Sequence, residues 1–284
     1  MKTNKMPILF IILSFLAMLP PAAASVLTDS FHKSISKADS IEKVTLDNVN
    51  GDCHFFLAPK NANLDIDAKV TIKGPSDEEC ESYYQKVKID VTRENHVLKI
   101  EVTRPHTNSF FGLGNSVRMT VDFEILIPVP MDVSVDLVNG DVNIEAMKLC
   151  SVDVVNGDVH LKGITGASID AVNSCIDICD VKEWVVIDTV NGNLKLISDS
   201  PDLKKIKAEF VNGSLTVQIP TACLGKLDMK SATGSTSLKE KREKKSWATR
   251  MHGKRIHISD KGTARISLEN VNGKIILLCD SLPN

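Results

Sequence analysis

The stretch that decides the fold runs from Asp132 to Leu161, DVSVDLVNGDVNIEAMKLCSVDVVNGDVHL. It contains one unit twice: an acid three residues before an Asn-Gly pair, with apolar residues at alternate positions on both sides. Alternation with a period of two is typical of β-strands that bury one face. Asn-Gly tolerates the positive φ of a sharp turn. The unit therefore predicts a strand, a turn and a second strand.

The unit recurs along most of the chain. Val-Asn-Gly or a near copy surrounds seven asparagines: Asn50, Asn139, Asn156, Asn173, Asn191, Asn212 and Asn272. The middle five are 17, 17, 18 and 21 residues apart, and degenerate copies at Thr233-Gly234 and His252-Gly253 continue the series in chain order. Such a step favours a solenoid of parallel rungs over a meander of hairpins. Eight or nine rungs about 4.8 Å apart would make a rod of roughly 40 Å.

Composition supports an all-β protein that buries a real core. The 284 residues are 43% apolar and only 5% aromatic, so Val, Ile and Leu supply most of the apolar content. These aliphatic residues suit the interior of a β-structure. The net charge of -2 argues against a nucleic-acid partner, because such binders are usually strongly basic.

The first 24 residues have the pattern of a secretory signal peptide. Lys2 and Lys5 precede the apolar run Ile8–Leu19, and Ala22-Ala23-Ala24 forms a small-residue cleavage site. The run is short for a membrane span, and no second long apolar segment follows it. We expect an exported chain, periplasmic or extracellular, with no transmembrane span after cleavage.

The remaining chain divides into two sections. Residues 25–127 are predicted to form an N-terminal lead-in and an irregular β section, with strands near 64–73, 86–92, 96–103 and 117–127. A short helix is predicted near 76–85, and a partly helical lead-in over 26–40. Residues 128–284 are predicted to form the regular solenoid, sharing one core with the section before it.

Two segments resemble a known family. They are Val117–Ile144, VRMTVDFEILIPVPMDVSVDLVNGDVNI, and Gly262–Leu277, GTARISLENVNGKIIL. Both are similar to the bacterial "putative adhesin" family of β-strand-repeat proteins, over roughly residues 40–280. The resemblance implies an exported β-solenoid of unknown function without established catalytic residues. Ser174 in place of Gly, a basic insertion near residue 240 and seven cysteines depart from the family pattern.

Two columns of repeated side chains are the main candidate sites. The acid before each turn would stack into an acidic column: Asp47, Asp136, Asp153, Asp170, Asp188, Glu209 and Glu269. Carboxylates about 5 Å apart repel one another, raise each other's pKa or bind a cation such as calcium, and the alternative is a solvated outer face. The asparagines would form a structural ladder of side-chain amides. No other metal or cofactor is expected.

Two further segments could contact a partner. Phe110 and Phe111 lie in an apolar loop that could form a contact surface or fold back as a cap. A basic patch could meet anionic lipid, lipopolysaccharide or nucleic acid, or be a solvated loop; it comprises Lys241, Arg242, Lys244, Lys245 and Arg250. Cys175 and Cys179 would lie about 13 Å apart on a straight strand, beyond disulfide reach, so buried packing is expected for them.

Catalysis finds little support in the sequence. Neither H-E-x-x-H nor G-x-S-x-G occurs. The leading hypothesis is a non-enzymatic envelope protein that presents an elongated surface to a glycan or a protein partner. One alternative is a carbohydrate-active β-helix enzyme that uses outward Asp or Glu. Another is an envelope-stress or assembly factor that acts through the solenoid ends.

Overall fold

A computed structural model describes residues 24–36, 38–105, 117–242, 246–259 and 261–280, with the backbone alone for residues 39, 241, 242 and 246–250. These residues form one α-helix, α1 (Asp77–Tyr84), and 23 strands. The strands are β1 (Ser25–Ile35), β2 (Lys43–Asn50), β3 (Cys53–Leu57), β4 (Leu64–Gly74), β5 (Lys88–Glu94), β6 (Val97–Thr103), β7 (Arg118–Ile127), β8 (Asp132–Asn139), β9 (Val142–Glu145), β10 (Leu149–Asn156), β11 (Val159–Lys162), β12 (Gly166–Asn173), β13 (Ile176–Cys179), β14 (Trp184–Asn191), β15 (Leu194–Ile197), β16 (Lys205–Asn212), β17 (Leu215–Pro220), β18 (Leu224–Ser231), β19 (Ser235–Arg242), β20 (Ser246–Gly253), β21 (Arg255–Ser259), β22 (Ala264–Asn272) and β23 (Lys274–Asp280).

The strands form a 12-stranded sheet and an 11-stranded sheet that share one apolar core. Each central rung places one strand in the 11-stranded sheet and a shorter strand in the 12-stranded sheet. The turn between them is Asn-Gly, except in the rung that turns at Asn173-Ser174. Successive rungs pair parallel and in register, so that Val152 lies opposite Val135 and Ile169. The predicted all-β solenoid is confirmed.

The spatial order of the rungs differs from their order in the chain. Nine strand pairs stack in the sequence β6–β7, β2–β3, β8–β9, β10–β11, β12–β13, β14–β15, β16–β17, β22–β23 and β18–β19. The prediction that the copies at 233 and 252 follow Asn212 in chain order is wrong. Asn272 follows Asn212 in space, because β22–β23 retains the complete turn unit and continues the register of β16.

Both ends of the stack are covered by antiparallel strands. At one end β5 pairs with β6, while β4 and β1 add to β7. At the other end β21 pairs with β18 and β20 with β19. The β2–β3 pair joins β8 and β9 directly, so the two sections predicted from the sequence share both sheets.

The N-terminal section corrects one prediction and confirms another. Helix α1 is present as predicted, and Ser76 caps it by accepting a hydrogen bond from the Glu79 amide. The partly helical lead-in over 26–40 is wrong for most of its length, because Ser25–Ile35 is a strand paired with β4 along its whole length. Among the residues described there, only Ala38–Ser40 forms a short 3-10 helix. The apolar side chains of the strand, Leu27, Phe31 and Ile35, are four residues apart, a spacing compatible with either structure, and the pairing decides between them.

Candidate binding surface

The seven repeated asparagines form a continuous hydrogen-bonded ladder at one corner of the solenoid. Asn139 Nδ2 donates to Asn50 Oδ1 at 2.8 Å, and Asn156 Nδ2 to Asn139 Oδ1 at 3.0 Å. The remaining four steps, to Asn173, Asn191, Asn212 and Asn272, measure 2.7–2.9 Å. At the far end, the Thr233 hydroxyl donates to Asn272 Oδ1 at 2.7 Å. Each interior amide therefore both donates and accepts, which fixes the register of successive rungs.

Glycine after the asparagine lets the rungs approach closely. Gly157 has φ +147, and a Cβ built on it would lie 1.8 Å from the carbonyl oxygen of Gly140. Such contact excludes a side chain at Gly157. Ser174 occupies this position in one rung, and its buried Oγ has no hydrogen-bond partner among the described residues.

A second ladder at the same corner was not anticipated. Asp52 Oδ1 accepts from the Asp141 amide at 2.9 Å, Asp141 Oδ1 from the Asp158 amide at 2.8 Å, and Asp158 Oδ1 from the Cys175 amide at 2.9 Å. The signal in the sequence is the Asp that follows Gly51, Gly140 and Gly157. Cys175 offers no carboxylate, so this ladder is interrupted at its position.

The acidic column lies on the outer face of the 11-stranded sheet. Its seven residues occupy the same register position on successive strands, about 4.8 Å apart. Glu101 and Asp90 extend it by two strands, and we call all nine carboxylates the acid row. Lys230 and then Arg255 occupy the same position on the last two strands. Asp90 and Glu101 cannot be recognised as members of the row from the sequence, because no Asn-Gly follows them.

Burial and neighbouring carboxylates raise the pKa of two residues within the acid row. Burial, then the neighbouring Asp170 and Asp136 carboxylates, raises the pKa of Asp153 above its ordinary value. Burial, then Asp136 and Glu101, likewise raises the pKa of Asp47.

Lysines lie beside the acid row near its ends. They form three ion pairs: Lys99–Glu101 at 3.5 Å, Lys207–Glu209 at 2.8 Å and Lys230–Glu269 at 3.9 Å. Across the described ranges, no Lys, Arg or His lies within 4.0 Å of the carboxylates of Asp136, Asp153 or Asp170. The interior of the row therefore retains exposed negative charge without direct ionic partners.

A column of exposed valines runs beside the acid row. These side chains precede the asparagines and are about 40% exposed; they are Val155, Val172, Val190, Val211 and Val271. A cleft of about 340 Å³ opens between the two columns near one end, lined by Glu209, Val211, Lys230 and Glu269 among others. On the outer face, the acid row and the valine column thus lie side by side, with one residue of each per strand.

The other candidate sites contribute less to this surface. Phe110 and Phe111, and Lys244 and Lys245 of the basic patch, lie outside the described residues. Lys241, Arg242 and Arg250 lie on the β19–β20 hairpin at the edge of the 12-stranded sheet. In the part of the chain that is described, no three His, Cys, Asp or Glu side chains are arranged to hold a metal ion. Calcium binding by the acidic column stays a prediction.

The cysteines are mostly packing residues, with one exception. Burial raises the pKa of the Cys53 and Cys150 thiols to about 12. Cys179 is half-buried, but Cys175 is exposed, so buried packing is wrong for Cys175. Its position at the corner, where three other rungs carry Asp and one carries Asn, turns the side chain outward.

Comparison with known families identifies the family to which this chain belongs. A family model described as Toastrack DUF4097 matches residues 61–245, well over half of the chain. The chain belongs to the Toastrack DUF4097 family. The comparison with curated proteins gives no match. No helix among the residues described is long and apolar enough to cross a membrane.

Three solved structures match this Toastrack chain at low sequence identity. A "putative adhesin" from Bacteroides fragilis shares 13% identity over 91% of this chain and 98% of its own, with a TM-score of 0.40. A "putative cell adhesion protein" from Clostridium sporogenes shares 13% over 89% and 99%, with a TM-score of 0.37. A "putative lipid binding protein" from Parabacteroides distasonis shares 12% over 88% and 96%, also at 0.37.

Proposed function

We propose that this Toastrack protein is exported to the cell envelope or surface and works there without catalysis, as a scaffold whose outer face binds a glycan or a protein partner. The contact surface is the outer face of the 11-stranded sheet. The observation that carries the proposal is the acid row running in register beside the exposed valine column.

The shape of this surface favours a long ligand. Nine rungs spaced about 4.8 Å apart give a face of about 40 Å, on which eight successive rungs carry a carboxylate of the acid row. A polymer or an extended partner segment can contact several identical rungs at once, which gains affinity by multivalency. A small substrate would instead need a few convergent polar groups in a concave pocket.

The chemistry of the surface favours a partner with cationic and apolar groups. Asp136, Asp153 and Asp170 supply carboxylates without a direct ionic partner, and the valines supply apolar area beside them. Complementary charge steers association, while the apolar stripe contributes burial. Amino sugars in a glycan and basic segments of a protein both meet this description.

The uniformity of the row favours binding over hydrolysis. A glycosidase needs two carboxyl groups in different environments, one acid and one base or nucleophile. The interior carboxylates instead repeat one environment from rung to rung. A carbohydrate-active enzyme is therefore the weaker alternative.

The test is binding of the chain from Ser25 onward to an array of bacterial and host glycans, with crosslinking in the envelope to capture protein partners. The informative variant is D136N/D153N/D170N, which removes three charges from the outer face. The matched control is E124Q/E145Q/D177N, which removes three charges from the outer face of the other sheet.

Saturable binding that the first variant loses and the control retains would support the proposal. Release of shorter products from a bound glycan would favour the enzymatic alternative. Absence of both a glycan and a crosslinked protein, or equal binding by both variants, would contradict the proposed surface.

A further inference from the structure

Each Asn-Gly pair at the corner of the solenoid contains the two groups that react in deamidation. The glycine amide nitrogen can attack the side-chain amide carbon of the asparagine, because glycine has no side chain to hinder the approach. The attack requires the N–H to lose its proton, so an N–H held in a hydrogen bond is protected until that bond opens. The chain has six such pairs: Asn50-Gly51, Asn139-Gly140, Asn156-Gly157, Asn191-Gly192, Asn212-Gly213 and Asn272-Gly273.

Five of the six glycine N–H groups are held by the next rung of the stack. The Gly51 amide donates to the Asn139 carbonyl oxygen at 2.9 Å, and the Gly213 amide donates to the Asn272 carbonyl oxygen at 3.0 Å. The corresponding bonds of the other three measure 3.0–3.3 Å and are donated by Gly140, Gly157 and Gly192. The regular stacking of rungs therefore protects these five pairs.

The sixth pair, Asn272-Gly273, meets a different neighbour. The rung beyond it is β18–β19, whose corner carries Thr233 in place of the asparagine. There the backbone amides of Thr233 and Ser235 donate to the carbonyl oxygens of Val271 and Gly273, at 2.9 and 3.3 Å. Among the described residues, no group accepts a hydrogen bond from the Gly273 amide. The change of rung thus leaves this one glycine N–H without a partner in the described part of the chain.

We propose that Asn272 is the site at which the folded chain deamidates, at a rate well above that of the five other Asn-Gly pairs. Its side chain is exposed to water, and its Oδ1 accepts a hydrogen bond from the Thr233 hydroxyl at 2.7 Å. That bond stabilises the negative charge that develops on Oδ1 during the attack. The Gly273 amide nitrogen supplies the nucleophile.

The reaction needs only water and hydroxide as co-reactants. Hydroxide takes the proton of the Gly273 N–H, and the nitrogen forms a bond to Cγ of Asn272. The bond between Cγ and Nδ2 breaks, and Nδ2 takes a proton from water and leaves as ammonia. Water then opens the five-membered succinimide at either of its carbonyl carbons. The products are aspartate and isoaspartate at position 272.

The modification changes the last joint between amides in the asparagine ladder. Asn272 Nδ2 donates to Asn212 Oδ1 at 2.7 Å, so its loss leaves two acceptor oxygens facing each other. Isoaspartate also adds one carbon atom to the backbone at the turn between β22 and β23. Deamidation therefore loosens the contact of β22–β23 with β16–β17.

Position at the end of the ladder does not by itself account for the difference. Asn50 is the terminal amide on the other side, where its Nδ2 donates to the Met119 carbonyl oxygen at 3.1 Å. The N–H of Gly51 is nevertheless held by Asn139. Asn50 is therefore a matched control within the same molecule, with the same terminal position but a protected nucleophile.

The test is peptide mapping by mass spectrometry of the chain from Ser25 onward during incubation at mildly alkaline pH. One sample is kept folded, and the other is unfolded in concentrated urea, which exposes all six pairs alike. In the folded chain we expect Asn272 to deamidate about tenfold faster or more than each other pair, since about 1.4 kcal/mol of opening free energy gives that factor. In urea this preference is expected to disappear.

Amide hydrogen exchange measured by NMR examines the same N–H groups without the covalent step. The Gly273 amide is expected to exchange faster than that of Gly213. Deamidation at Asn50 or Asn212 as fast as at Asn272 would overturn the proposal, and so would a preference that persists in urea. A Gly273 amide as protected as that of Gly213 would also overturn it. So would a folded chain that stays unmodified at Asn272 while the urea sample reacts.

Discussion

The middle of the molecule and its ends differ in how their strands pair. In the middle, similar rungs stack in parallel and share the asparagine ladder, and the first of them also share the ladder of aspartate carboxylates that ends at Cys175. At the ends, antiparallel strands replace the rungs, and the asparagine ladder stops at Met119 on one side and Thr233 on the other. Repetition therefore fixes the register in the middle, while specific pairing decides which strands form the ends.

Substitution of the corner glycine of a central rung should cause the largest loss of stability. In G157A the new Cβ would clash with the Gly140 carbonyl oxygen and force a non-glycine residue into positive φ. We expect a loss of about 3 kcal/mol or more in the free energy of unfolding, measured by urea denaturation. G253A is the matched end variant: its Cβ would lie 3.7 Å from the nearest heavy atom, so a change below about 1 kcal/mol is expected. Equal losses would contradict the close stacking described for the middle.

Interrupting the asparagine ladder should cause a smaller loss of stability. N156A removes the hydrogen bond that Asn156 donates to Asn139 and the one it accepts from Asn173. At about 0.5–1.5 kcal/mol per bond, partly offset by water at this exposed corner, a total loss of about 1–2 kcal/mol is expected.

T233A, at the terminus of the ladder, provides the comparison with the end. The single Thr233 hydroxyl proton can serve only one of its two acceptors at a time. Thermal and urea unfolding should therefore show T233A to be less destabilised than N156A. The reverse order would mean that the ladder does not stabilise the middle.

The smallest effect concerns charge and depends on pH. Because the pKa of Asp153 is raised in the folded chain, the folded state binds this proton more tightly than the unfolded chain does. Its stabilising contribution is complete below the unfolded value of 3.8 and is lost as pH rises through the folded value. D153N should therefore stabilise the chain at pH 7 by about 0.5 kcal/mol, with no gain below pH 3.8.

The end of the row should respond in the opposite direction. E209Q removes the ion pair with Lys207 at the surface, so a loss of at most about 0.5 kcal/mol is expected at pH 7. Urea denaturation of both variants at pH 7 and at low pH measures the difference. Stabilisation by E209Q equal to that by D153N would show that the interior and the ends of the row do not differ.

The sequence predicted the middle of the fold better than its ends. An acid, a valine, an asparagine and a glycine at one spacing are enough to predict parallel rungs and a turn, because each rung must match its neighbour. The position of β22 between β16 and β18 depends on pairing between strands distant in the chain, and no local pattern records it.

The residues of the candidate surface were likewise predictable from the sequence only in the regular rungs. Its seven regular acids were predictable, whereas Asp90 and Glu101 join the row only through pairing of the end strands. The exposure of Cys175 follows from a corner position that strand alternation alone did not reveal.

The most direct test of this account is disulfide trapping of the rung order, in a C175S background that removes the exposed thiol. Val211 and Val271 occupy equivalent positions on the adjacent strands β16 and β22, within the Cα separation that a disulfide requires. Oxidised V211C/V271C should therefore form an intramolecular disulfide, detected by mass spectrometry, whereas V211C/A232C should not, because β22 lies between β16 and β18. A disulfide in V211C/A232C and none in V211C/V271C would mean that the rungs stack in chain order, and the described ends would be wrong.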